Sequence, residues 1–135
     1  VCALGFLEHV ESPDLVIKEI SRVLRPSGLF FYHTFNRNFI TWLIGIKGVE
    51  WFVQNTPPNL HLYRYLIKPI EMQRYCERAG MQVQQVFGSA PNIRKKAFWQ
   101  MLFTGRVEDD FEFNLIRWPL LGYLGVARKS CLLQV

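Results

Sequence analysis

The stretch "VCALGFLEHVESPDLVIKEISRVLRPSGLFFYHTFNRN", residues 1–38, contains the pattern that decides the fold. Its first four residues are apolar, as at the end of a buried parallel strand. A helix is predicted from Pro13, because proline suits the first helical position and Ser12 before it can cap the helix. The aromatic-rich residues 29–35, "LFFYHTF", predict a second strand. Strand, helix and strand in this order predict a right-handed parallel crossover within an α/β fold.

The predicted helix has two faces and a defined end. Its apolar residues recur at helical spacing and should pack on the sheet: Val16, Ile20, Val23 and Leu24. The polar face is predicted to contain Lys18, Glu19, Ser21, Arg22 and Arg25. "RPSG", residues 25–28, should end the helix, because the residue before a proline avoids the helical region and Gly28 permits a tight turn.

The rest of the chain predicts further elements of the same layered fold. The apolar segment 39–55 has a narrow polar stripe, which suits either packing beneath a lid or contact with a membrane surface. A second helix is predicted from Pro69 to about Ala79, and strands are predicted at residues 81–87 and 120–129. Residues 88–114 are interpreted as a lid-like insertion within a doubly wound domain.

Composition narrows the class of protein. The chain has 135 residues, half of them hydrophobic, which suits one globular domain with a substantial core. The net charge of +5 is scattered along the chain, which is weak evidence for nucleic acid, and mild attraction to anionic membrane surfaces explains it equally well. No nucleic-acid partner is expected. The three cysteines fit no metal or disulfide spacing and predict free thiols in a reducing cytoplasm.

Polar residues follow both predicted parallel strands. Glu8 and His9 come after the first strand, and Asn36 follows the second. Ligands of open α/β sheets collect at the carboxyl ends of the strands, so these side chains are candidates for a common site. An isolated Glu-His pair can equally begin a loop and lead into the next helix.

The stretch "FLEHVESPDLVIKEISRVLRPSGLFFYHTFNRN" resembles the second half of a class I S-adenosylmethionine-dependent methyltransferase. "TFNRN", "WLIGIKGVEW" and "HLYRYLIKP" narrow the resemblance to the O-methyltransferases that act on polyprenyl phenols in ubiquinone synthesis. The resemblance covers roughly residues 1–87. It implies that residues 1–135 are the C-terminal portion of a Rossmann-like methyltransferase domain, peripheral to the inner face of the membrane.

The resemblance also implies roles for individual residues. Leu4 corresponds to a cofactor contact, with S-adenosyl-L-methionine as the cofactor. His9 would be the base that removes the phenol proton. Asn36 would bind the substrate hydroxyl or complete a hard-metal site with its amide oxygen. Glu8 and His9 correspond to ligands of a divalent metal such as Mg²⁺, but Gly5 stands where the family has a third, acidic ligand.

Two features of the family pattern have no counterpart in these residues: the glycine-rich loop and the acidic residue that binds the ribose. We therefore expect the isolated chain to bind S-adenosylmethionine poorly. Two alternatives to a polyprenyl-phenol methyltransferase stay open. One is a methyltransferase of the same fold that acts on another small molecule, and the other is a noncatalytic fragment that associates with membranes.

Overall fold

The computed structural model describes residues 1–43, 63–107 and 109–131. The strands are β1 (Cys2–Leu4), β2 (Leu29–Phe35), β3 (Met81–Pro91), β4 (Phe113–Ile116) and β5 (Gly122–Lys129). The helices are α1 (Pro13–Val23), α2 (Pro69–Arg78) and α3 (Lys96–Thr104), with 3-10 turns at Leu7–His9 and Tyr63–Tyr65. Residues 39–43 are also helical. The predicted α/β class is confirmed.

The five strands form one mixed sheet in the order β1-β2-β5-β3-β4. β1 and β2 run parallel, as the crossover predicts, with Leu4 opposite His33. β5 lies antiparallel between β2 and β3, and β4 pairs antiparallel with the end of β3. The carboxyl ends of β1 and β2 therefore lie at the same edge of the sheet, which positions the candidate site.

One face of the sheet carries the core. Helices α1 and α2 pack there, with Ile17 and Met72 fully buried against Phe30 and Tyr32. Tyr32 contacts Tyr123 edge to face at 6.2 Å between ring centroids. The Tyr123 hydroxyl donates to the carbonyl of Ile67 at 2.9 Å, which fixes the segment before α2 to the sheet. Burial raises the pKa of both tyrosines, so both stay neutral and act as core residues.

Helix α1 confirms its predicted start but corrects two predictions about its faces. Ser21 is buried rather than solvent-exposed, and its hydroxyl donates to the carbonyl of Ala79 at 2.6 Å. Ser21 lies one turn after Ile17, on the stripe that faces α2. Val23 points away from that stripe and is exposed. Ser12 precedes the helix as predicted, although its side chain makes no capping hydrogen bond.

The turn after α1 uses its residues differently from the prediction. Ser27, not Gly28, has the left-handed backbone conformation, with φ of 61°. Gly28 supplies space instead, because a Cβ there would lie 2.8 Å from the carbonyl oxygen of Arg25. The tight turn therefore needs Gly28 for close approach of two backbone segments.

Residues 88–114, which we interpret as an insertion, include the end of β3 and a helix that connects β3 to β4. Their first four residues complete β3 and pair with β4. In the chain, helix α3 follows β3 and precedes β4, and it ends at Gly105, which has φ of 69°. The lid-like role of these residues stays a prediction.

Candidate active site

The candidate site lies where β1 and β2 end. The backbone NH of Gly5 donates to the carbonyl of His33 at 3.1 Å, which continues the strand pairing past Leu4. The chain then turns through Leu7–His9, so the Glu-His pair lies beside the end of β2. β2 ends at Phe35, and Asn36 follows at the same edge.

Glu8 is buried at this edge, with 2% of its surface exposed. The hydroxyl of Thr34 donates to its Oε2 atom at 3.0 Å. A Cβ on Gly5 would lie 3.7 Å from the Oε1 atom, so Glu8 occupies the space beside Gly5. Glu8 is held inside the protein by a strand residue, which suits a positioning role for the turn that carries His9.

Thr34 is a site residue that sequence reasoning missed. It is fully buried and shares a face of β2 with the core residues Phe30 and Tyr32. Thr34 occupies one of the alternating buried positions of the strand, and a buried polar side chain needs a hydrogen-bond partner. This position in the sequence pattern could have indicated that Thr34 binds a polar group.

We expect Thr34→Val to lower the free energy of unfolding by about 1–3 kcal/mol, because it removes a hydrogen bond from a buried carboxylate. Thr34→Ser keeps the hydroxyl and is the matched control. Urea unfolding at neutral pH measures both variants. Equal stability of the two variants would show that the Glu8 contact contributes nothing.

His9 and Leu4 are both accessible from solvent. The His9 side chain is exposed although its neighbour Glu8 is buried, and Leu4 has 61% of its surface exposed. A molecule at this edge of the sheet could therefore reach both residues. The roles of His9 as base and Leu4 as cofactor contact stay predictions.

Asn36 is engaged within the protein. Its Nδ2 atom donates to the carbonyl of Pro119 at 2.6 Å, and its backbone NH donates to the carbonyl of Leu121 at 2.7 Å. These bonds attach the end of β2 to the segment before β5. The role of Asn36 in binding a substrate hydroxyl stays a prediction, and its amide nitrogen already has a structural use.

The residues at this edge fit a divalent metal poorly. Mg²⁺ prefers several oxygen ligands in octahedral geometry. Among the described residues of this edge, Glu8 supplies one carboxylate, which is buried and bonded to Thr34, and Gly5 contributes no ligand. In the described parts of the chain, no group of three His, Cys, Asp or Glu residues could hold a metal ion.

His33 lies near the site but has a structural environment. Its Nε2 atom lies 3.2 Å from the hydroxyl of Ser89, and its ring contacts Phe35 edge to face at 5.5 Å. Burial lowers the pKa of His33, and the charge of Glu8 partly opposes this shift. These contacts indicate that His33 has a structural role in the sheet. His61, for which no role is predicted, lies outside the described residues.

The class of protein follows from the fold and from one family match. The family model described as "Methyltransferase domain" matches residues 1–32, which end within β2. A SAM-dependent methyltransferase from Thermotoga maritima, titled a possible histamine N-methyltransferase, has a TM-score of 0.55 at 11% identity. This comparison covers 96% of this chain and 54% of that one. The chain thus has the fold of SAM-dependent methyltransferases, and its first 32 residues match the methyltransferase-domain model.

The fold alone leaves the reaction open. A methyltransferase from Listeria monocytogenes, titled putative, has a TM-score of 0.55 at 17% identity over 96% of this chain and 60% of that one. The [4+2]-cyclase SpnF has a TM-score of 0.52 at 16% identity over 96% of this chain and 49% of that one. The same fold therefore supports different chemistry.

Two curated relatives that share one name are similar to most of this chain. Ubiquinone biosynthesis O-methyltransferase from Azoarcus sp. (strain BH72) is 33% identical over 98 residues, which are 73% of this chain and 42% of that protein. The enzyme of the same name from Pseudomonas putida is 35% identical over 98 residues, with the same two coverages. The chain thus spans about two fifths of the length of the curated relatives it matches.

Proposed function

We propose that this chain forms the acceptor-binding part of an S-adenosylmethionine-dependent O-methyltransferase. Its substrate would be a phenolic or catechol polyprenyl intermediate of ubiquinone biosynthesis. The observation that carries the proposal is the exposed His9 beside a buried, hydrogen-bonded Glu8 at the carboxyl edge of the sheet. The names of the curated relatives support the substrate class.

The proposed chemistry needs one proton acceptor from this chain. His9 would accept the proton of the phenol as the O–H bond breaks, and the phenolate oxygen would then bond to the methyl carbon. S-adenosylmethionine, when bound, supplies that methyl group from its sulfonium, whose C–S bond breaks to leave a neutral thioether. Glu8 would hold the turn that carries His9, and the exposed Leu4 would contact the cofactor beside it.

The alternative acceptor is a different small molecule. Gly5 favours it, because the resemblance implies an acidic residue at this position. Residues 88–114 favour it as well, because the resemblance does not extend to them. The noncatalytic fragment stays a third reading.

Transfer of a labelled methyl group tests the proposed function. A full-length protein that contains residues 1–135 would be incubated with S-adenosylmethionine labelled in its methyl group, in separate reactions with a polyprenyl catechol and with an unrelated amine acceptor. We expect label in the catechol ether only. Label in the amine alone would contradict the proposal in favour of another acceptor, and label in neither would favour the noncatalytic reading.

We further propose contact with an anionic membrane surface through the segment that begins at Phe39. Phe39 has 68% of its surface exposed and stacks on Trp42 at 5.6 Å between ring centroids. Lys47 and Trp51, on which this interpretation also depends, lie outside the described residues. No helix in the described ranges is long and apolar enough to cross a membrane.

We expect Phe39→Ser to weaken binding to anionic vesicles by about tenfold, because an aromatic ring that enters the interface contributes apolar burial. Phe103→Ser is the control, since Phe103 is also exposed but lies on α3. Vesicle sedimentation measures both variants. An equal loss for the two variants would contradict a contact centred on Phe39.

A further inference from the structure

The connection between β4 and β5, Arg117–Leu121, is attached to the end of β2 by the side chains of Asn36, Asn38 and Thr41. We call this connection the β4–β5 turn. Asn36 donates to the carbonyl of Pro119, and the Nδ2 atom of Asn38 donates to the carbonyl of Leu120 at 2.8 Å. The hydroxyl of Thr41 lies 3.2 Å from the same carbonyl oxygen. Three side chains within six residues thus bind consecutive carbonyl groups of one turn.

The turn also packs closely against β3. A Cβ on Gly88 would lie 2.0 Å from the carbonyl oxygen of Trp118, so this approach of the two backbones requires glycine. The contact on β3 is independent of the hydrogen bonds from Asn36, Asn38 and Thr41. The turn is therefore held both by hydrogen bonds from residues 36–41 and by close packing on Gly88.

Polar and apolar groups separate around the turn. Thr41, which binds its carbonyl groups, has only 2% of its surface exposed. Trp118 and Leu120 have 65% and 48% of their surfaces exposed, and Phe39 lies between the two bonded residues Asn38 and Thr41. The hydrogen bonds hold the backbone of the turn in place, while its apolar side chains face outward beside the edge that carries Asn36.

We propose that Trp118 and Leu120 form an apolar wall that binds the isoprenoid tail of the substrate, with Asn36, Asn38 and Thr41 as positioning residues. This inference rests on the proposed function for the substrate class. A phenol ring at the carboxyl edge of β1 and β2 would leave its tail to run along the neighbouring surface. The β4–β5 turn is bonded to the residue that directly follows β2, so it is the adjoining apolar surface on that side.

A fixed wall suits a tail better than it suits a bilayer. A flexible tail loses conformational entropy when it binds. A preorganised protein surface loses little further conformational entropy, so the total entropic cost of binding is smaller. The cation of Arg117 lies 5.5 Å from the Trp118 ring centroid and helps to hold the ring. The hydrogen bonds from Asn36, Asn38 and Thr41 thus preorganise the wall, so that the tail binds along one part of the surface.

Direct binding measurements test the wall separately from turnover. Calorimetry would compare a catechol with a long polyprenyl tail and the same catechol with a single isoprene unit. We expect the double variant Trp118→Ser, Leu120→Ser to raise the Kd for the long-tailed catechol, relative to the short one, about tenfold. Phe103→Ser is the control for loss of an exposed aromatic residue and should leave the ratio unchanged.

Asn38→Asp tests the positioning role. The Oδ1 atom of Asn38 accepts the backbone NH of Thr41 at 2.8 Å, and aspartate keeps that bond. Aspartate loses the amide donor to Leu120, so the same Kd ratio should rise several-fold while the thermal unfolding midpoint stays near that of the unmodified protein.

Two outcomes would contradict the wall: an unchanged Kd ratio in the double variant, or an equal change of the ratio in Phe103→Ser. If the unchanged ratio came with loss of anionic-vesicle binding, the turn would be assigned to the membrane. Long-tail binding that depends on Trp118 and Leu120 in a protein that transfers no methyl group would support the wall and reject the proposed function.

Discussion

Replacing His9 by alanine in a full-length protein that contains this chain should lower the rate of phenol methylation by about 100-fold or more, since general bases commonly contribute this much. The affinity for S-adenosylmethionine should change far less, because a proton acceptor acts on the side of the methyl acceptor. Single-turnover rates with labelled cofactor, and the cofactor Kd from calorimetry, separate the two effects. A loss confined to cofactor affinity would reassign His9 to structure.

His33→Gln is the matched control for the His9 experiment. His33 is the neighbouring histidine, but its Nε2 atom faces Ser89 and its ring faces Phe35. Glutamine keeps a polar group near Ser89, so the methylation rate should stay within a few-fold of the unmodified protein. If both variants lost the rate equally, the effect would come from general disturbance of this sheet edge.

Replacing Gly125 by alanine should destabilise the protein by about 2 kcal/mol or more, because the substitution overpacks a closed core. Gly125 lies opposite Tyr32 in the sheet, and a Cβ there would lie 2.1 Å from the Cζ atom of the Tyr32 ring. The ring is fully buried and packed against Tyr123, so it has no open space to enter. Urea unfolding measures the loss.

The double variant Gly125→Ala, Tyr32→Leu identifies the cause. Leucine removes the ring atoms that the new methyl group would meet, so part of the loss caused by Gly125→Ala should be absent in the Tyr32→Leu background. Strict additivity of the two substitutions would mean that the cost at Gly125 comes from the backbone and not from the tyrosine.

Local sequence patterns predicted the elements around the candidate site, and the structure confirms them. The proline at position 13 and the helical spacing of apolar residues located α1, and the aromatic run located β2. These signals are local, because they depend on residues within one or two turns of each other. The parallel pairing of β1 and β2 followed from the order of the elements alone.

Long-range contacts could not be predicted in this way. Ser21 was assigned to solvent because a serine among charged residues suits an exposed face, but its partner is a carbonyl 58 residues away. The bond from Thr34 to Glu8 and the bonds from Asn38 and Thr41 to the β4–β5 turn likewise join distant parts of the chain. Such partners depend on which strands become neighbours, and no short stretch of sequence contains that information.

The position of β5 has a consequence for biosynthesis. β5 is the middle strand of the sheet, yet it follows the other four in the chain. During translation, β1 and β2 can pair early, and β3 can pair with β4, but the two pairs have no shared edge until β5 leaves the ribosome. Until then, the edges of β2 and β3 that later accept β5 stay unpaired and open to other chains. The nascent protein should therefore depend on chaperones most strongly just before its central strand emerges.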